Sequence, residues 1–176
     1  LTLCANNAAV QLAGSILGAT GGTWSGGAGS FAPNANAMNA VYSPSTAEIA
    51  AGTLTLVLTS TGNGGCLAAT DEVQVTFTPA PTVSAGADAH VCANAAQVSL
   101  QGAVTLATGG VWSGGSGAFA FNDTASTAIY TPGPSELSAG LATLYLTTTG
   151  VGNCLAVVDS MNIVIDPVPV VNAGPD

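Results

Sequence analysis

In the run Gly52-Thr53-Leu54-Thr55-Leu56-Val57-Leu58-Thr59, three leucines alternate with Thr53, Thr55 and Val57. A period of two puts the leucines on one face of a β-strand and the others on the opposite face, so one side is buried and one is wet. Val73, Val75 and Phe77 alternate in the same way with Glu72, Gln74 and Thr76. Leu144 and Leu146, then Met161, Ile163 and Ile165, repeat both patterns further along, and shorter alternations occur at Val10 and Leu12 and at Val98 and Leu100. Gly21-Gly22, Gly26-Gly27, Gly62-Asn63-Gly64-Gly65 and Gly114-Gly115 mark turns between them. Short strands at this spacing predict an all-β sandwich. Only Ser45 to Gly52 has helical character, with Glu48 three residues after Ser45 as in a capping box and Gly52 as a stop. One short turn is expected there rather than a helix.

Displacing the sequence by 88 residues aligns it with itself. Cys4 meets Cys92, Trp24 meets Trp112, Tyr42 meets Tyr130, Glu48 meets Glu136 and Cys66 meets Cys154, with no gap and about half of the pairs identical. The chain is expected to hold two tandem sandwiches, 1–81 and 82–170, with 171–176 opening a further repeat. The junction Pro79-Ala80-Pro81-Thr82 is echoed at Pro167-Val168-Pro169-Val170. Copy one has no counterpart of this opening before Leu1, so a window on a longer array is expected. The paired prolines predict an extended, semi-rigid connection.

Composition narrows the function. The 176 residues include no Lys or Arg, nine acids and one His, for a formal net charge of −9. Nothing supplies the positive charge that nucleic acid or anionic lipid requires, and no Lys or Arg is present for Schiff-base, P-loop or phosphate-clamping chemistry. A hydrophobic content of 48% and a mean hydropathy of +0.52 argue against charged disorder. The first 47 residues carry no charge, but polar residues and glycines interrupt them too often for a membrane span. Neither a nucleic-acid partner nor membrane insertion is expected, and no secretion signal is visible at Leu1.

Each copy holds two cysteines 62 residues apart, which suggests disulfides Cys4–Cys66 and Cys92–Cys154; buried free thiols are the alternative. Small sandwiches gain from such a brace, worth roughly 4 kcal/mol in the chain-entropy model. A disulfide would place the chain outside the reducing cytosol. Two Cys per copy and one unrepeated His do not complete a zinc site. Trp24 and Trp112, in Gly-Gly-(Thr/Val)-Trp-Ser-Gly-Gly, read as core residues packed on the disulfide as in immunoglobulin domains; the alternative is a ligand-binding tip.

Together, Cys-Ala-Asn, Ala-Thr-Gly-Gly-(Thr/Val)-Trp-Ser-Gly-Gly, Tyr-(Ser/Thr)-Pro, the Ala-Gly-(Thr/Leu)-(Leu/Ala)-Thr-Leu strand and the closing Asn-Ala-Gly-Pro-Asp resemble the PKD-like, immunoglobulin-like tandem repeats of giant Bacteroidota surface adhesins. Those include the SprB-like gliding-motility adhesins carried by type IX secretion. The resemblance implies an extracellular, cell-surface β-sandwich module repeated in a long adhesive filament, whose partners are neighbouring repeats and an external surface or glycan. It also implies O-glycosylation at Asp-(Ser/Thr) followed by a small or aliphatic residue, which here means Thr124 in Asp123-Thr124-Ala125 and Ser160 in Asp159-Ser160-Met161. Copy one departs from both triplets. Asn122-Asp123-Thr124 is also an N-glycosylation sequon.

Asp88 and its echo Asp176 are weak candidates for junction calcium, against turn or capping roles; scattered acids do not supply the six to eight oxygens calcium takes. No cofactor is expected. His90 has no positioned nucleophile or orienting acid in the pattern and reads as an ordinary junction residue. A structural spacer and adhesion module is the leading expectation and an enzyme the least favoured. The alternatives are a self-assembling fibre subunit, because no Lys guards the sheet edges, and a glycan- or ice-binding module.

Overall fold

A computed structural model of the chain describes residues 1–120 and 127–174. It forms two compact units, one comprising Leu1–Ala80 with Asn153–Leu155, the other Pro81–Gly152 with Ala156–Asp176. The expected boundary near residue 81 is thus crossed by a three-residue piece of the second copy that belongs to the first unit.

In unit 1, β1 (Thr2–Cys4), β7 (Thr70–Thr78), β6 (Thr53–Thr61) and β3 (Gly21–Ser25) form one sheet in that order. A second sheet orders β2 (Val10–Gln11), β5 (Val41–Ser43) and β4 (Ser30–Ala32). The alternation in β6 is realised as read: Leu54, Leu56 and Leu58 are buried with Val10, Trp24, Tyr42, Val75 and Phe77. All neighbours in these sheets are antiparallel except β1, which runs parallel to β7 and sets Cys4 beside Thr78. That one parallel pairing decides the sulfur chemistry below.

Unit 2 repeats the plan. One sheet orders β12 (Gly109–Gly114), β15 (Leu141–Thr149), β16 (Val158–Asp166) and β9 (Ala89–Cys92), with β9 again parallel to its neighbour. The other orders β10 (Val98–Ser99), β14 (Ile129–Thr131) and β13 (Ala118–Ala120). A further pair joins β8 (Thr82–Ser84) antiparallel to β11 (Ala103–Thr105). Trp112, Tyr130, Leu144, Leu146, Met161 and Ile163 are buried together.

The segment expected to make one turn is a six-residue helix in both copies, α1 (Thr46–Ala51) and α2 (Pro134–Ala139). Ser45 caps α1, its Oγ accepting from Glu48 N at 3.3 Å, and Gly52 ends it in the left-handed region at φ 77°. In α2 the N-terminal position is Gly133, which has no hydroxyl, and Pro134 presets the first helical residue. Among the described residues no helix is long and apolar enough to cross a membrane.

Candidate functional site

The recurring acids meet the recurring tyrosines. In unit 2 the Tyr130 hydroxyl lies 2.8 Å from both oxygens of Glu136 and accepts from Gly117 N at 2.8 Å. Glu136 also accepts from Ser116 N at 3.0 Å and Gly133 N at 2.7 Å, and it is only 7% exposed. A chain without Lys or Arg has no side-chain counter-ion for a buried carboxylate, so N–H and O–H donors must hold the charge. Burial alone would raise the Glu136 pKa; the Gly133 N–H, the Tyr130 hydroxyl and the Ser116 donors outweigh it and hold it low. Burial and the adjoining carboxylate push the Tyr130 hydroxyl up to about 12, so it remains a proton donor.

Unit 1 has the same cluster. The Tyr42 hydroxyl and Ala28 N each donate to Glu48 Oε1 at 2.8 Å, and Ser45 N and Oγ each donate to Oε2 at 2.7 Å. Against the upward push of burial, the two Ser45 donors, the Ala28 N–H and the Tyr42 hydroxyl bring Glu48 down to about 2. A carboxylate depressed on folding contributes stability above its unfolded pKa and loses it as pH falls through the folded one. Glu48 is partly exposed, so solvent screening makes this contribution smaller than the full pKa difference implies. Urea unfolding of unit 1 is therefore expected to weaken as pH falls from 4.5 toward 2. Glu48→Gln should lower stability at pH 7 and flatten that limb; an unchanged limb would refute the assignment.

This cluster explains the glycines after each tryptophan. Gly115, at φ +67°, passes so close that a Cβ there would sit 2.7 Å from Tyr130 Cζ and 2.9 Å from Glu136 Oε1. Gly27 does the same over Tyr42 and Glu48. Gly115→Ala combines left-handed backbone strain with that overlap and is expected to cost more than about 2 kcal/mol in equilibrium urea unfolding. The Tyr-to-Glu spacing of six residues, present in both copies, was the sequence signal for a role that reading Glu48 as a capping acid did not reach.

The cysteines are paired differently from the expectation. The disulfide joins Cys4 to Cys154, with a Cα–Cα distance of 5.0 Å, while Cys66 and Cys92 are free. Neither Cys4–Cys66 nor Cys92–Cys154 forms. Because β1 runs parallel to β7, Cys4 lies at the Thr78 end of a strand whose other end, Thr70, follows the Cys66 loop. Eight steps of about 3.3 Å separate those ends by roughly 26 Å, against a Cα–Cα limit near 7 Å for a disulfide. In unit 2, β9 and β16 separate Cys92 from Cys154 in the same way. The tip that carries Cys154 is held by a two-way amide clasp: Asn6 Nδ2 donates to Leu155 O at 2.9 Å, and Leu155 N donates to Asn6 Oδ1 at 3.0 Å. Asn7 Nδ2 donates to Asn153 O at 3.0 Å.

The other candidates stand apart. Trp24 and Trp112 are core residues at 6% and 1% exposure, each opposite a leucine of the next strand, Leu58 and Leu146. Asp88 Oδ1 accepts from Asn162 N at 2.8 Å, which ties the start of β9 to β16, and Asp159 Oδ2 accepts from Ala85 N at 2.8 Å. Asp176 and Thr124, with Asn122 and Asp123, lie outside the described residues. His90 is exposed in β9, opposite Val164. Ser160 is exposed in β16 opposite Tyr145, while Met161 beside it is buried. Among the described residues no three His, Cys, Asp or Glu side chains come together as a metal site.

Each unit is an all-β, immunoglobulin-like sandwich: a four-stranded and a three-stranded sheet around one core, joined in unit 2 by the β8–β11 pair, with Tyr and Glu clasping the loop that follows the core tryptophan. No family model and no curated protein matches the sequence. Among solved structures, the extracellular cadherin domains 3–6 of protocadherin gamma B2 are 14% identical, with 82% of this chain and 40% of that one covered at a TM-score of 0.33. Drosophila N-cadherin EC1–3 is 10% identical over 84% of this chain and 55% of that one, at 0.40. The insect immune protein hemolin is 10% identical over 84% of this chain and 39% of that one, at 0.36. The chain therefore spans about half or less of each of these structures.

Proposed function

We propose that the chain is a structural, adhesion-type repeat module of an extracellular filament, a spacer whose chemistry is bracing rather than turnover. The observation that carries this reading is the commitment of its recurring acids: Glu48 and Glu136 are consumed in loop-holding hydrogen bonds, and Asp88 and Asp159 in strand-to-strand ones. A disulfide fits an oxidising, extracellular setting. Repetition in register supports reach by copy number, and the sequence motifs of the two copies resemble adhesin repeats. A place in gliding motility and type IX export belongs to the same reading.

The test is to insert one, two or three copies of the chain between a cell-surface anchor and a reporter binding domain. The reporter's reach is expected to grow by a constant step per copy, with attachment under shear retained. Constant reach, or shedding under shear, would refute the spacer. Glycans at Thr124 and Ser160 belong to the proposal too. Met161 is buried when β16 is in its sheet, so an enzyme reading the Asp159-Ser160-Met161 triplet would act before the sheet closes. An intact mass equal to that of the bare polypeptide from the native source would remove both sites.

A further inference from the structure

The two copies share a core but not an outer face. On the side of β6 turned away from the core stand Thr55, Val57 and Thr59, with Glu72 and Gln74 beside them on β7. The same places on β15 and β16 hold Thr143, Tyr145 and Thr147, with Ser160 and Asn162. A ring stands where copy one has a valine, and a hydroxyl where it has a carboxylate. Tyr145 is 44% exposed, between the buried Leu144 and Leu146 of the same strand. An aromatic ring left in water at the centre of a sheet forfeits the burial that such a side chain normally contributes.

The ring is braced and flanked. Gly114 of β12 lies against it: a Cβ there would sit 3.0 Å from Tyr145 Cδ2 and 3.4 Å from Cε2. Across the sheet Tyr145 pairs with Ser113 on one side and Ser160 on the other, both short and both exposed, so no bulky side chain stands level with the ring. Asn162 is on the diagonal from Tyr145, about 7–8 Å away. It is held twice. Its N donates to Asp88 Oδ1 at 2.8 Å, and its Oδ1 accepts from Thr143 Oγ at 2.9 Å. With Oδ1 engaged, Nδ2 has no acceptor among the described residues and remains a donor for something outside the chain.

An exposed ring, a fixed amide donor and two hydroxyls, with no charged side chain in the Ser113–Tyr145–Ser160 row, suit a neutral sugar. A β-linked hexopyranose with equatorial hydroxyls presents C–H bonds on its two faces, which match the electron-rich face of an aromatic ring. Its hydroxyls project from the rim, where a few placed polar groups fix orientation. An anionic glycan is disfavoured by the net charge of −9. A peptide cannot add as a strand here, because β15 is paired on both sides.

We propose that the outer face of β12, β15 and β16 in unit 2 is a binding site for a neutral, β-linked hexopyranose chain. One sugar stacks on Tyr145, one of its hydroxyls accepts from Asn162 Nδ2, and others bond to Ser113 and Ser160. Unit 1, with Val57 and Glu72 at the corresponding places, does not bind. The inference rests on the adhesion reading for its purpose and on this geometry for its site. A sugar attached to Ser160 would lie over the same ring, so the test uses chain whose intact mass is that of the bare polypeptide.

The full chain, titrated with cellopentaose and separately with chitopentaose in heteronuclear NMR, is expected to show shifts at the Tyr145 ring and the Asn162 side-chain amide with at least one of the two. The outer face of unit 1 should stay unchanged. Tyr145→Val, which installs the copy-one residue, should weaken binding about tenfold or more, whereas Tyr145→Phe should keep it within about threefold. Thr143→Val, which releases the Asn162 amide, should weaken it about threefold while the unfolding midpoint stays put. No shift with either sugar, equal binding by Tyr145→Val, equal binding of an oligogalacturonate, or shifts confined to unit 1 would each overturn the site. So would self-association in sedimentation without sugar that Tyr145→Val removes, since the face would then be an interface between copies. Reach in the anchored-copy assay does not depend on sugar, so failure here is distinguishable from failure of the spacer.

Discussion

Pulled at its two ends, the oxidised chain should extend only through residues 1–4 and 154–176, because the Cys4–Cys154 bond carries the load past everything between. Reduction should release a further length of about 500 Å, the span of roughly 150 extended residues. The alternative pairing Cys4–Cys66 with Cys92–Cys154 would instead leave residues 66–92 extensible before any reductant is added, so single-molecule force spectroscopy separates the two outright. The same bond is expected to be the largest single contribution to stability in unit 1. The chain-entropy model gives about 5 kcal/mol for a closure of this length, as an upper value. Cys154→Ser should therefore lower the unfolding midpoint of unit 1 by more than about 10 °C, whereas Cys66→Ser and Cys92→Ser should leave it within about 1 °C. Peptide mapping should find Cys4 joined to Cys154, and with no Lys or Arg to cut at it needs an acid- or aromatic-directed protease. Equal sensitivity at all four cysteines would refute the assignment.

Tyr130→Phe should destabilise unit 2 by about 3 kcal/mol, although it removes a single oxygen atom. That oxygen accepts from Gly117 N and donates to a carboxylate that is itself buried. Its loss leaves one N–H without its acceptor and weakens the solvation of a charge for which this chain has no cation. Unsatisfied buried groups cost about 1–3 kcal/mol each, more when charged. Glu136 should then titrate closer to the ordinary carboxylate range, which carboxyl chemical shifts report directly. Tyr42→Phe should cost less, because Glu48 retains Ser45 N, Ser45 Oγ and Ala28 N as donors. If Tyr130→Phe changes urea stability at pH 7 by less than about 0.5 kcal/mol, the clasp is not what holds the loop.

The candidate site was legible where it depended on local order. Ser45 and Glu48 announce their capping contact by a spacing of three, and Gly52 announces the stop. The tyrosine that completes the cluster arrives from β5 and the N–H donors arrive from the loop after β3, so their meeting depends on how the two sheets face each other. Repetition marked these residues as a set without showing that they touch.

Alternation of Leu54, Leu56 and Leu58 against Thr53, Thr55 and Val57 determined the strands, because side-chain direction in an extended chain follows from parity alone. The 88-residue echo likewise determined that there are two copies of one sandwich. Which sulfurs meet was a different kind of question. It turned on β1 lying parallel to β7, which sends Cys4 to the far end of the sheet from Cys66 and toward a tip contributed by the other copy. Strand direction is chosen by contacts more than 70 residues apart, and no local pattern encodes it.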